Sequence, residues 1–107
     1  QYRAANRDRH RSKQLVRYYG LSTEEYQTLL HQQNGACAIC FQKETTIDTR
    51  TGQVKPLHVD HCHKTSVVRG LLCHKCNHGL GQFDDSPDLL RSAIAYLQQV
   101  ALEKRAA

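Results

Sequence analysis

Apolar residues recur at helical spacing in three stretches of the chain and gather at strand spacing in one. Over residues 11–19, Leu15, Tyr18 and Tyr19 are apolar positions on a largely basic segment that Gly20 ends, which predicts a first helix. A second helix is better marked. Ser22 and Glu25 have capping-box spacing, Tyr26, Leu29 and Leu30 form an apolar stripe, and Asn34-Gly35 supplies a left-handed stop. Residues 41–55 are polar with a Thr51-Gly52 turn signal and read as a loop or a weak strand pair, in which variation is expected to matter little to any site. Leu57 to Cys62 and Val67 to Leu72 are short β-prone runs around His63-Lys64-Thr65-Ser66, which predicts a β-hairpin. Residues 73–80 lead into a helix that Gly79 and Gly81 keep short or irregular. Ser86-Pro87-Asp88 then joins a cap, a first-turn proline and an acid at the positive end of the helix dipole. Leu89, Leu90, Ala93, Ile94, Leu97, Val100 and Ala101 continue that helix to about Lys104.

These elements predict an α+β class and a single domain over residues 1–107. Its parts are a basic arm and helix (1–20), a helix (21–35), a core (36–82) and a terminal helix (86–104). With 107 residues, 39% of them hydrophobic and neither Trp nor Met, the core is modest and benefits from a staple. The five cysteines can be counted as two disulfides and a spare, but no signal-like apolar stretch opens the chain and nothing approaches a membrane span. Metal binding in a reducing cytoplasm is the better reading. The chain opens on Gln1 rather than Met, and is therefore expected to be a fragment or a processed product.

Four of the cysteines, Cys37/Cys40 and Cys73/Cys76, form two C-x-x-C pairs. A tetrahedral Zn²⁺ bound by four thiolates takes two sulfurs from each of two tight turns, and C-x-x-C lets both members of a pair point inward. A redox pair would instead be a single C-x-x-C near a βαβ pattern. Cys62 is expected to pack as a small half-buried residue and is assigned no role.

The formal charge of +5 falls to about +3 once four thiolates and a zinc ion are counted. Its excess lies at the start, where Arg3, Arg7, Arg9, Arg11, Lys13 and Arg17 face one acid, Asp8. Such an arm either contacts a polyanion or serves as a solvated leader. The residues of the hydrolytic site tip the balance to nucleic acid.

Those residues are Asp60, His61 and Asn77. Phosphodiester hydrolysis needs a base for the water, a cation for the charge on the phosphoryl oxygens and leaving group, and a scaffold for both. Asp60 and the Asn77 amide oxygen are hard ligands suited to Mg²⁺ or Mn²⁺, and His61 is the candidate base. Asn77 follows Cys76 directly, so the zinc would position it. In an ideal strand Asp60 and His61 point to opposite faces, so a twist or bulge is expected near His61. The same alternation sets His58 with Asp60 and His63 with His61, making His63 the histidine better placed for phosphate contact. For His58 and His63 alike, an ordinary surface role is the other reading.

At these residues, His58-Val-Asp-His61, His63, then Val68-Arg-Gly-Leu-Leu-Cys73-x-x-Cys-Asn77 with Gly79-Leu-Gly81, the chain resembles the phage recombination endonuclease VII family, a branch of the His-Asn-His (HNH) nucleases. The likeness runs from about Tyr19 to Leu97. It implies a treble-clef-like ββα-metal core clasped by zinc, with Asp60 and Asn77 on the catalytic cation, His61 as base, and cleavage to 5′-phosphate and 3′-hydroxyl ends. It further implies the cytoplasm of a bacterial or phage-infected cell. Many HNH proteins carry a middle Asn where this chain has Arg69, which either contacts the scissile phosphate or is a solvated charge. Family resolvases are dimers, so the terminal helix is either a homodimer contact or packed on its own core. The expected function is a divalent-metal-dependent endonuclease acting on duplex or branched DNA with weak sequence specificity. The alternative is a non-catalytic zinc module that binds nucleic acid, which would not require Asp60, His61 and Asn77 together.

Overall fold

The computed structural model describes residues 11–16 and 19–99. Its elements run in the order α1 (residues 11–16), α2 (Thr23–Gln32), β1 (Ile47–Asp48), β2 (Gln53–Val54), β3 (His58–His61), β4 (Val68–Leu72), α3 (His74–Gln82) and α4 (Pro87–Gln98). The result is a small mixed α/β fold with four helices and two antiparallel two-stranded sheets, β1–β2 and β3–β4. Packing divides it into two units, Gln1–Asn77 and His78–Ala107. Arg3, Arg7, Arg9 and Arg17 of the basic arm, Tyr18, and the expected end of the last helix from Val100 to Lys104 lie outside the described residues.

In the first unit, α2 starts and stops where its sequence signals stand. The Glu25 N–H donates to Ser22 Oγ at 3.0 Å and the Ser22 N–H to Glu25 Oε1 at 2.8 Å, satisfying two donors that the first turn leaves open. Asn34 and Gly35 turn left-handed at φ 58° and 71°, and the Gly35 N–H reaches back to the Leu30 carbonyl at 2.8 Å. The helix buries Tyr26, whose hydroxyl donates to the Leu57 carbonyl at 2.8 Å just before β3 begins. Arg11, a cation of the basic arm, lies over the Tyr26 ring at 4.9 Å. Leu15, Leu21, Tyr26, Leu57, Val59, Leu71 and Leu72, with Cys37 and Cys73, make the core. Each fully buried Leu contributes only about 1.5–3 kcal/mol. A core this small gains from a metal clasp.

The β3–β4 hairpin pairs His58 with Leu72, Val59 with Leu71, Asp60 with Gly70 and His61 with Val68. Arg69 has no place in that register and is the extra residue of a β-bulge. The irregularity expected at His61 is therefore present, but the inserted residue sits on β4, across from the Asp60/His61 step. On β4 the run Gly70-Leu71-Leu72 is wholly buried instead of alternating. Gln33 covers the open edge of β4 that a lone hairpin would leave to water. Its amide accepts from the Leu71 N–H at 2.9 Å and donates to the Leu71 carbonyl at 2.9 Å and the Ala36 carbonyl at 2.8 Å. A Cβ added at Gly70 would stand 3.3 Å from the same amide oxygen, so glycine there admits the close approach.

The polar stretch 41–55 contains the weak strand pair as β1 and β2, closed by Gly52 at φ 72°. In the second unit, Ser86 caps α4 by accepting from the Leu89 N–H at 3.1 Å, with Pro87 in the first turn. No residue of α4 is buried, and Leu89, Ile94, Tyr96 and Leu97 are exposed. Among the described residues no helix is long and apolar enough to cross a membrane.

Candidate metal centre and active site

Two tight turns bring the paired cysteines together. In the first, the Cys37 N–H donates to the Gln42 carbonyl at 2.9 Å, the Phe41 N–H to the Cys37 carbonyl at 3.0 Å and the Ile39 N–H to Cys37 Sγ at 3.4 Å. Phe41 closes that turn at φ 62°, a left-handed position where glycine would be at ease. In the second, at the end of β4, the Cys76 N–H donates to Cys73 Sγ at 3.5 Å and the Asn77 N–H to the Cys73 carbonyl at 2.9 Å. The Ala38 N–H also donates to the Leu71 carbonyl at 3.1 Å, fastening the first turn to β4.

The four Sγ atoms lie within 4.8 Å of one another, and those of Cys40 and Cys73 are 3.8 Å apart. Sulfurs about 2.3 Å from a tetrahedral zinc stand about 3.8 Å apart, whereas a disulfide holds them at about 2.05 Å. The donor set and its spacing suit one zinc ion. Electrostatics agree. Burial opposes the Cys37 thiolate, yet the N–H groups of Cys40, Cys73 and Ile39 and the Cys76 thiol outweigh it and bring Cys37 down to about 6. Burial and the neighbouring thiols push Cys76 up to about 12, and burial raises Cys73 as well. Protons thus resist leaving Cys73 and Cys76 while a thiolate is already next to them, a conflict that a dication would remove.

Glu44 is a support that the sequence reading missed. One carboxylate oxygen accepts from the Thr45 and Thr46 N–H groups at 3.0 and 3.1 Å, and the other accepts from the His74 N–H at the start of α3. Burial works against its charge, but these N–H donors hold its carboxyl below the ordinary value. The 41–55 loop, in which variation is expected to matter little to the sites, is joined through Glu44 to the start of the helix that follows Cys73. An acid in a polar loop gave no signal of this.

Asp60 is engaged by Arg69 through both oxygens, Nε to Oδ2 at 2.8 Å and Nη2 to Oδ1 at 3.0 Å. The His61 ring lies 5.1 Å from that of His63 and 5.4 Å from that of Tyr19. The expected grouping of His61 with His63 is present. His58 stands by His74 at 5.7 Å between rings, and its buried Nε2 has no hydrogen-bond partner. Burial, and then electrostatic repulsion from the neighbouring His74 ring, depress the His58 pKa. Asn77 is half-buried in the first turn of α3, directly after Cys76. Cys62 is half-buried, as expected, and hydrogen bonds from Thr65 and Lys64 lower its thiol to about 7. Among the described residues, the four thiols are the single group of three or more His, Cys, Asp or Glu side chains close enough to share a metal. A cation at Asp60 would draw its other ligands from an amide, water or substrate.

Fold and site together define a small mixed α/β fold with a four-thiol cluster that could hold a metal, next to a hairpin that carries an acid and several histidines. The chain matches the model of the recombination endonuclease VII family over residues 12–99 and belongs to that family. It is 37% identical over 100 residues to the Gene 59 protein of Mycobacterium phage D29, covering 92% of this chain and 56% of that protein. To the Gene 59 protein of Mycobacterium phage L5 it is 36% identical over 98 residues, covering 91% and 56%. The chain thus spans a little over half the length of these curated relatives.

Proposed function

We propose that this chain is a divalent-metal-dependent DNA endonuclease domain of the HNH, ββα-metal type. It would hydrolyse phosphodiester bonds of duplex or branched DNA with weak sequence specificity, leaving 5′-phosphate and 3′-hydroxyl ends. Family membership supports the nuclease class. The observation that carries the site is the bulge at the Asp60/His61 step, in a hairpin followed directly by the helix bearing Asn77.

In this reading Asp60 and the Asn77 amide oxygen hold Mg²⁺ or Mn²⁺, which when bound supplies Lewis-acid stabilisation of charge on the phosphoryl and leaving-group oxygens. His61 accepts the proton of the attacking water, and the Tyr19 and His63 rings next to it limit the orientations its imidazole can take. His63 and Arg69 face the phosphate. The four cysteines hold a structural zinc that sets the start of α3 and with it Asn77. A site that addresses a backbone phosphate reads no sequence, hence the weak specificity. The basic arm adds phosphate contacts whose strength falls with salt.

The exposed apolar side chains of α4 support a homodimer contact, which sedimentation of the zinc-loaded protein would test. The phage relatives support action in the cytoplasm of an infected bacterial cell.

The deciding experiment incubates zinc-loaded protein with supercoiled plasmid and Mg²⁺ or Mn²⁺, beside an EDTA control. Metal-dependent conversion to open-circle or linear DNA is expected. DNA binding without cleavage under either cation would refute the enzyme and leave a non-catalytic binding module.

A further inference from the structure

We propose that Phe41, on the first cysteine turn, is the stacking platform of a binding surface for single-stranded DNA, with Lys43 and Lys75 beside it on the phosphates. The inference rests on the reading of the chain as one that acts on DNA and adds to it a surface that does not include Asp60, His61 or Asn77.

Phe41 is out of place in two respects. Its φ of 62° lies in the left-handed region, which a bulky side chain enters at a cost that glycine escapes. It is also 76% exposed, more than any other large hydrophobic residue described in the first unit. The turn itself needs neither property. Its closing hydrogen bond, from the Phe41 N–H to the Cys37 carbonyl at 3.0 Å, is made by backbone alone. A strained and uncovered ring costs the fold stability, and a molecule that covers it from outside accounts for its presence.

The surroundings say which kind of molecule. Phe41 lines an open cleft of about 730 Å³ together with Lys43 and Lys75. A second cleft, of about 620 Å³, shares Lys43 and Glu44 with the first and adds Lys55 and Arg11. Glu44 is the one acid among the described residues that line either cleft, and both its oxygens already accept N–H groups, from Thr45 and Thr46 and from His74. Four cations therefore border two adjoining clefts, with an exposed ring among them. A second copy of the chain would bring like charges together. A nucleic-acid strand instead offers a flat base and a phosphate in every nucleotide, the two features that a ring beside lysines can hold. In a duplex the bases are already stacked on one another, so the ring selects an unpaired strand. Every base has a π-face, and the surface is indifferent to sequence.

The test follows fluorescence anisotropy of labelled oligothymidine of about 12 nucleotides, and of its duplex with oligoadenosine, titrated with zinc-loaded full chain and no added Mg²⁺ or Mn²⁺. Phe41→Gly removes the ring and suits the left-handed turn, so its melt is expected to hold. It is expected to bind the strand about fivefold or more weaker, with duplex binding little changed. Phe41→Leu keeps apolar bulk without a π-face and is expected to lose as much. Undiminished strand affinity in either variant would overturn the proposal, as would an equal loss toward duplex. The chain has no Trp, so Phe41→Trp gives it a single indole whose emission a stacked base quenches. Quenching by the strand is expected; unchanged emission at saturating strand would overturn the proposal, and this variant decides if the Gly variant does not fold. Lys43→Gln should flatten the slope of log affinity against log salt by about 0.7, the share of one phosphate contact on a single strand. An unchanged slope would overturn the proposed phosphate contact. The plasmid assay separates the two levels. Strand binding that depends on Phe41, in a protein that never cuts plasmid, would refute the nuclease and keep this surface. Plasmid cleavage with strand binding indifferent to Phe41 would refute this surface alone.

Discussion

Arg69 lies outside the strand register, yet its Nε and Nη2 sit 2.8 and 3.0 Å from the two carboxylate oxygens of Asp60, nine residues earlier in the chain. A regular hairpin would have placed Arg69 opposite His61, where Val68 now stands. The inserted arginine instead adds twist at that step and brings a cation onto the acid proposed to hold metal. This one irregularity shapes the candidate site.

His61→Ala is expected to abolish plasmid cleavage, a loss of about a hundredfold or more for removal of a general base, while leaving the melt and DNA affinity nearly unchanged. The check is a turnover measurement beside a binding isotherm. Unaltered turnover would remove His61 from the role of base.

Cys73→Ser should remove the cooperative melt of the zinc-loaded domain, because Cys73 is both a core residue and one of the four thiols. Strong chelation of the unaltered protein should do the same. Atomic absorption would give the zinc content and calorimetry the melt; an intact transition in the metal-free state would sink the structural role of the centre.

Gln33→Ala strips Leu71 of side-chain partners for its N–H and carbonyl. Leaving such buried groups short of partners costs about 1–3 kcal/mol. For a chain of this size each kcal/mol lowers the melting temperature by roughly 4–8 °C. No change in the melt would mean that water replaces the amide at no cost.

Glu44→Gln tests the tie between loop and α3 through pH. The Glu44 carboxyl is held below its ordinary value of 4.5, so its contribution is complete above that pH and is lost as pH falls through the lowered value. The Gln variant lacks the charge at every pH. It is therefore expected to be less stable by about 1 kcal/mol near neutrality, the usual worth of a helix cap. It should also release zinc at a higher pH during acid titration, followed with a chromophoric chelator. Coincident release curves would show that Glu44 does not support the clasp.

Much of the molecule was legible from residue order because the signals are local. The Ser22/Glu25 capping box, the Asn34-Gly35 stop, the Ser86-Pro87 start and the hairpin each depend on residues a few positions apart, whose hydrogen bonds close without distant help. The clustering of the two cysteine pairs was legible for a similar reason. A C-x-x-C turn arranges its own two sulfurs, so two such turns need only be brought together to complete a four-thiol site.

Tertiary packing decided the remainder. Which strand carries the bulge, the seating of Arg69 on Asp60, the amide of Gln33 against β4 and the carboxylate of Glu44 on α3 all join groups that order along the chain does not relate. Polar side chains in loops carry no periodicity. Their partners are chosen when buried N–H and carbonyl groups must be satisfied and half-buried charges neutralised, and those demands exist only once the core has formed.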